Sequence, residues 1–191
     1  MINEYFEKHE EANIFYEKSI NSFDSPSFRL IQLAENSFER TGQKEKAKKL
    51  YLKFIKDTND ELLISNEINR LKKNILPKKQ INNLSDAMAE LFTNIASTFR
   101  SDFTNKYSII YTNFSLYFKN DFEIALMLLA ELSEDEGKFF SANKIYEKIH
   151  PRSVFYWHAR LRKARNLELL GENKEAVLLL KQPCCLNKTA L

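Results

Sequence analysis

Residues 131–149 read ELSEDEGKFFSANKIYEKI, with Gly137 followed by Ala142 and then Tyr146. The chain has only three glycines, and the other two head the same phrase: Gly42, Ala47 and Tyr51; Gly171, Ala176 and Leu180. The recurring phrase is Gly-x4-Ala-x3-(Tyr/Leu). Glycine takes the left-handed conformation that ends a helix at little cost. Alanine then lets a second helix approach the first closely, and Tyr or Leu fills the seam between them.

Spacing turns the phrase into a repeat. Gly137 to Gly171 is 34 residues, as are Ala142 to Ala176, Ala130 to Ala164 and Tyr146 to Leu180. One further step back from Ala130 reaches Ala96. Residues 89–122, 123–156 and 157–190 therefore read as three units in register. A fixed period of this length signals paired helices stacked as a solenoid. Within the unit 123–156, Leu126, Leu129, Ala130 and Ser133 share a helical face. His150-Pro151 stops the second helix, because a residue before proline disfavours the helical region. Trp157, Leu161, Ala164 and Leu167 repeat the design in the next unit.

The N-terminal part forms a separate block. Residues 28–40 and 43–56 read as a helix pair around Gly42, and Ala12 with Tyr16 preserve half of the phrase before it. The spacing from Gly42 to Gly137 is 95 residues, which is not a whole number of periods. The interruption is DELLISNEINRLKKNILPKKQINN, residues 60–83: an extra helix, then a basic loop around Pro77. The sequence thus predicts N-terminal helices over 1–73 (a partial repeat, one full pair and the extra helix), a basic linker over 74–83, three repeats over 84–182 and a non-repeat tail over 183–191. Pro183 ends the last helix early. PCCLNKTAL is expected to be a truncated or frame-altered terminus, and an exposed apolar face is expected near Leu178–Leu180, with a frayed tail beyond it.

Composition agrees with an all-α domain. Three glycines and four prolines in 191 residues are too few for the tight turns of a sheet protein. Hydrophobic residues at 43% and charged residues at 29% describe a chain with a core, not a disordered one. The net charge of +3 demands neither nucleic acid nor an anionic membrane. No apolar run is long enough to span a bilayer. The charged start MINEYFEKHEEA lacks the apolar region of a secretory signal, which predicts a cytoplasmic protein. Cys184 and Cys185 are adjacent and make no metal-binding spacing.

These features resemble the tetratricopeptide repeat family. Two stretches carry the likeness: LPKKQINNLSDAMAELFTNIAS, residues 76–97, and ALMLLAELSEDEGKFFSANKIYEKIHPRSVFYWHARLRKARNLELLGENKEAVLLL, residues 125–180. Bacterial, alphaproteobacterial-like multi-repeat members are most similar. Lys163 stands where that family usually has an apolar residue, and Ser133 replaces a larger side chain. The resemblance implies an α-α superhelix whose concave surface, built from the first helix of each pair, binds a peptide or helix of another protein. By helical phase, the groove positions are Arg29, Gln32, Asn36 and Glu39; then Glu90, Thr93, Ser97 and Arg100; then Ile124, Met127 and Glu131; then His158, Leu161 and Arg165. Some members grip a C-terminal carboxylate with a Lys/Asn/Arg cluster; Asn36 alone matches such a position. The loop around Pro77-Lys78-Lys79 is expected to fold over the groove and to be dispensable for folding.

Two other functions compete. HARLRKAR, residues 158–165, is the strongest positive patch, and Tyr156 and Trp157 could stack bases of single-stranded RNA. Arg160, Lys163 and Arg165 diverge around a helix, so they read as a solvated face and nucleic acid is disfavoured. The chain could also be the repeat region of a longer enzyme. Within the chain, His9, His150 and His158 form no catalytic or metal motif, and Glu134-Asp135-Glu136 reads as a helix end. No catalytic residue, cofactor or metal is expected, and the sequence sets no oligomeric state.

Overall fold

A computed structural model describes residues 2–22, 26–100 and 104–181. Those residues are helical, with no strand among them. They divide into two compact units, Met1–Ala87 and Met88–Leu191. No helix among the described residues is long and apolar enough to cross a membrane.

The first unit contains α1 (Ile2–Tyr5), α2 (His9–Asn21), α3 (Phe28–Arg40), α4 (Lys44–Thr58), a 3-10 turn (Leu62–Ile64) and α5 (Ser65–Lys72). Ser27 caps α3 by accepting the Leu30 amide at 3.3 Å. The start of the chain is held to α2 by Tyr16, whose hydroxyl donates to Glu4 Oε2 at 2.7 Å. Ala12, Tyr16, Ile31, Ala34, Phe38, Ala47, Tyr51 and Phe54 form one core, which Ile64 and Ile81 extend. The extra helix of the sequence reading is α5.

Every residue from Ile31 to Glu39 is buried. A helix in an open stack keeps one side in solvent; α3 does not. Its remaining side is closed by α5 and by the chain from Pro77 to Ile81.

The second unit is built from α6 (Leu84–Thr98, of which the first residues belong to the first unit), α7 (Asn105–Phe118), α8 (Glu123–Asp135), α9 (Phe139–Tyr146), α10 (Tyr156–Leu169) and α11 (Asn173–Lys181). From α7 onward each helix packs on the next in sequence. Ala130 and Ala142 are both fully buried where α8 meets α9, beside Leu126, Tyr146 and Ile149. Ala164, Leu167 and Ala176 make the equivalent contact of α10 with α11.

All three glycines end a helix with positive φ: 80° at Gly42, 72° at Gly137 and 82° at Gly171. The residue after each glycine donates its amide five residues back: Gln43 to Phe38 at 2.7 Å, Lys138 to Ser133 at 2.8 Å, Glu172 to Leu167 at 2.8 Å. The glycine amide itself reaches three residues back, as in Gly137 to Glu134 at 2.8 Å. This pair of bonds is the Schellman cap. The position where the α6–α7 hairpin lacks glycine, near Asp102-Phe103, lies outside the described residues. So does the tail 183–191.

A Cβ on Gly137 would meet no atom within 4 Å. The glycine is therefore required by its backbone angle alone. Gly137→Ala is expected to cost about 1 kcal/mol, and Gly137→Asn less, because asparagine tolerates the left-handed region. Urea unfolding of the two variants checks this; equal stability of Gly137→Ala and the parent would refute it.

Candidate protein-binding surface

In the second unit, ion pairs tie together the first helices of successive hairpins. Arg100, just past α6, donates to Glu131 of α8 at 2.5 Å and lies 3.6 Å from Asp135. Arg162 of α10 reaches the other Glu131 oxygen at 3.6 Å and Glu134 at 3.1 Å. Asn166 donates to Glu134 at 2.7 Å and to Asn143 at 3.0 Å. Glu131 thus bridges two arginines across three hairpins. Exposed pairs of this kind contribute little singly, on the order of 0.5 kcal/mol. Linked together, they hold the register of the face. Burial opposes the charge on Arg162, but Glu134 and Glu131 more than offset it and raise its pKa. Burial pushes the Tyr146 phenol up as well, with Glu134 adding to the effect.

On this face Ser97, Arg100, Leu161 and Arg165 are exposed, and Glu131 and His158 are half-buried. Ile124 and Met127 are half-buried too, each packed on a core cluster. Leu161 is the large apolar side chain left open there. Glu90 and Thr93, expected in the groove, are buried. Thr93 turns toward α7, where its hydroxyl meets that of Ser115 at 2.8 Å.

The expected groove of the first unit is filled by its own chain. Asn36 is buried and donates to the Lys78 carbonyl at 2.9 Å. Arg29, half-buried, contacts Gln32 at 3.0 Å and the Gln80 side chain at 3.3 Å. Arg40 donates to the Pro77 carbonyl at 3.4 Å. Gln32 donates to Glu67 at 3.3 Å, and Glu39 accepts from Arg70 at 2.6 Å and from the Tyr51 hydroxyl at 3.1 Å. Gln32, Asn36 and Glu39 therefore do not offer a surface to a partner. The linker does fold over α3, as the sequence reading expected. It is not dispensable, because Ile81 is fully buried in the core and Pro77 is buried as well.

This closure puts charge inside the first unit. Glu35, Glu39 and Glu67 are buried around Arg70, which lies 3.3 Å from Glu35 and 2.6 Å from Glu39. Burial raises the Glu35 carboxyl to about 9, with the neighbouring Glu39 and Glu67 adding and Arg70 opposing. Burial raises Glu67 as well. One cation thus serves three carboxyls, and Glu35 is held neutral near pH 7.

The basic segment 158–165 divides differently from its sequence reading. Arg160 is buried, not on a solvated face. Its guanidinium donates to the Leu179 carbonyl of α11 and lies over the rings of Tyr156, at 5.7 Å, and Trp157, at 5.4 Å. Lys163, where the tetratricopeptide pattern has an apolar residue, pairs with Glu147 at 2.6 Å. Arg162, which the sequence reading passed over, is a second cation of the ladder beside Arg100. Its signal was in the spacing. Arg100, Glu131 and Arg162 are successively 31 residues apart, one period less three. That step lands one helical turn earlier on the next hairpin.

Val177, Leu178 and Leu180 are exposed on α11, as expected from the sequence. Among the described residues no group of three His, Cys, Asp or Glu side chains is placed to hold a metal. Cys184 and Cys185 lie outside the described residues. No family model matches the chain, and no curated protein or solved structure compared with it matches either.

The buried carboxyls give the first unit a pH-dependent stability. The folded state holds on Glu35 a proton that the unfolded chain releases above the ordinary value of 4.5, and the raised Glu67 acts in the same direction. Stability should therefore fall as pH rises from there toward about 9, by at most about 1.4 kcal/mol per pH unit for each proton. Glu35→Gln should flatten that slope, while Arg70→Met, which strands Glu39, should destabilise by about 3 kcal/mol. Urea midpoints across the pH range test both; an unchanged slope in Glu35→Gln would count against a neutral Glu35.

Proposed function

We propose that the chain is a non-catalytic helical-repeat scaffold of tetratricopeptide-like design, working in the cytoplasm. It binds a peptide or helix of a partner protein on the face shared by the C-terminal part of α6, α8 and α10. The observation that carries this reading is the Arg100–Glu131–Arg162 ladder. It sets three first helices in one register and leaves Ser97, Leu161 and Arg165 open beside it. An ordered surface of mixed charge with an exposed leucine suits recognition of a polypeptide. In the first unit the α3 face is already satisfied by residues 77–80.

The RNA-binding reading is weakened by Arg160. Its guanidinium and the Tyr156 and Trp157 rings engage one another and the Leu179 carbonyl, so they do not present a free stacking platform.

Crosslinking pull-down from the native cell should recover a protein partner in a nuclease-resistant manner. Leu161→Glu combined with Arg165→Glu should reduce its recovery to background without changing the thermal melt of the scaffold. Recovery of single-stranded RNA with steep salt dependence would favour the RNA-binding reading.

A further inference from the structure

The helix α7 is built inside out. Its buried residues are Ser108, Thr112 and Ser115, all fully enclosed. Ser108 donates to the Ala96 carbonyl at 2.9 Å and Ser115 to the Ala89 carbonyl at 2.8 Å, so hydroxyls seam α7 to α6. Ile109, Tyr111, Leu116 and Phe118 are half-buried against neighbouring core clusters, and four large side chains lie on the side opposite the hydroxyls. Tyr107, Ile110, Phe114 and Tyr117 are exposed, Tyr117 at 83%. Their spacings of three, four and three residues make one continuous stripe, about 15 Å long. Phe92 stands beside the stripe, with ring centroids 5.4 Å from Phe114 and 5.7 Å from Phe118. Between these rings lies an open cavity of about 560 Å³ lined by Phe92, Ile110, Asn113, Phe114, Tyr117 and Phe118. Aromatic rings set outward while hydroxyls are enclosed reverse the usual burial preference. A contiguous apolar patch of this kind marks an interaction surface.

Charge selects the occupant. Among the described residues, α7 carries no carboxylate, and the acids of α6, Asp86 and Glu90, are buried. Lys106 and Lys119 stand at the two ends of α7, their ammonium groups over the rings of Tyr107 and Phe122. The α7 helix of a second copy would offer Lys106 no carboxylate. A bilayer interface needs no cavity; an apolar side chain of a helix fits one. We propose that the α7 face is a docking site for an amphipathic helix of a partner protein, its apolar stripe seated on Ile110, Phe114 and Tyr117 and its acidic flank facing Lys106. This site is separate from the α6–α8–α10 face, so either can stand without the other.

Fluorescence anisotropy of the full chain tests the site with two designed helical peptides of about 18 residues. Both carry leucines at positions i, i+3, i+4 and i+7; one has glutamates at the remaining positions and the other lysines. The acidic peptide should bind at least about tenfold tighter. Phe114→Glu and Tyr117→Glu should each abolish that binding, and Leu161→Glu on the other face should leave it intact. Tyr117 is largely in solvent, so its variant reports on docking even where Phe114→Glu disturbs packing. Equal binding of the two peptides, no binding, or binding indifferent to Tyr117→Glu would overturn the proposal. So would a Tyr117-dependent dimer in sedimentation, which assigns the face to a second copy, or Tyr117-dependent sedimentation with phosphatidylserine-containing vesicles, which assigns it to a membrane.

Discussion

Each glycine hairpin depends on one backbone constraint: a residue with φ near +75° followed by an amide that reaches five residues back. That cap satisfies carbonyls which the helix end would otherwise leave open. It also turns the chain sharply enough for the next helix to start within two residues and return along the first. The alanine five positions later then meets the preceding helix at close range, as Ala142 meets Ala130. Tyr146, four positions further, extends the same contact. The packing and register of the α8–α9 and α10–α11 hairpins follow from this geometry. Were the turn looser, Ala142 would no longer face Ala130.

The first unit uses the same turn at Gly42 but finishes differently. With α5 and residues 77–81 laid on it, α3 becomes a central helix, and polar side chains suited to a surface become enclosed. Enclosure explains the chemistry that results. Asn36 finds a backbone carbonyl, Glu39 takes Arg70 and Tyr51, and Glu35 is left to hold a proton. A buried carboxyl is costly when charged and unpaired; neutrality is the cheaper state here.

How much of this was legible from the sequence varies with the kind of signal. The helix pairs around Gly42, Gly137 and Gly171 were readable because only glycine takes that backbone angle easily, and because alanine and tyrosine recur at fixed distance. The closed face of α3 was not readable. Its cover comes from residues 65–81, some 30–40 positions downstream, and carries no period. Helical phase named Gln32, Asn36 and Glu39 correctly as one face but could not say what lay on it. The inversion of α7 was hidden for another reason. Serine and threonine do not announce burial; the Ser108 and Ser115 hydroxyls are satisfied by the Ala96 and Ala89 carbonyls opposite, and Thr112 by the Ser108 carbonyl of its own helix. Arg162 escaped because the charge ladder advances by 31 residues while the repeat advances by 34.

From α7 onward each helix packs on its successor, and α8 is also tied to α10 through Glu131 and Glu134 with Arg162 and Asn166. Damage at the α10–α11 hairpin should therefore be felt by both α9 and α8. If the hairpins form the proposed repeat stack, they are exchangeable parts, and over evolutionary time such a chain can lengthen or shorten by duplication and loss without redesigning the pieces that stay.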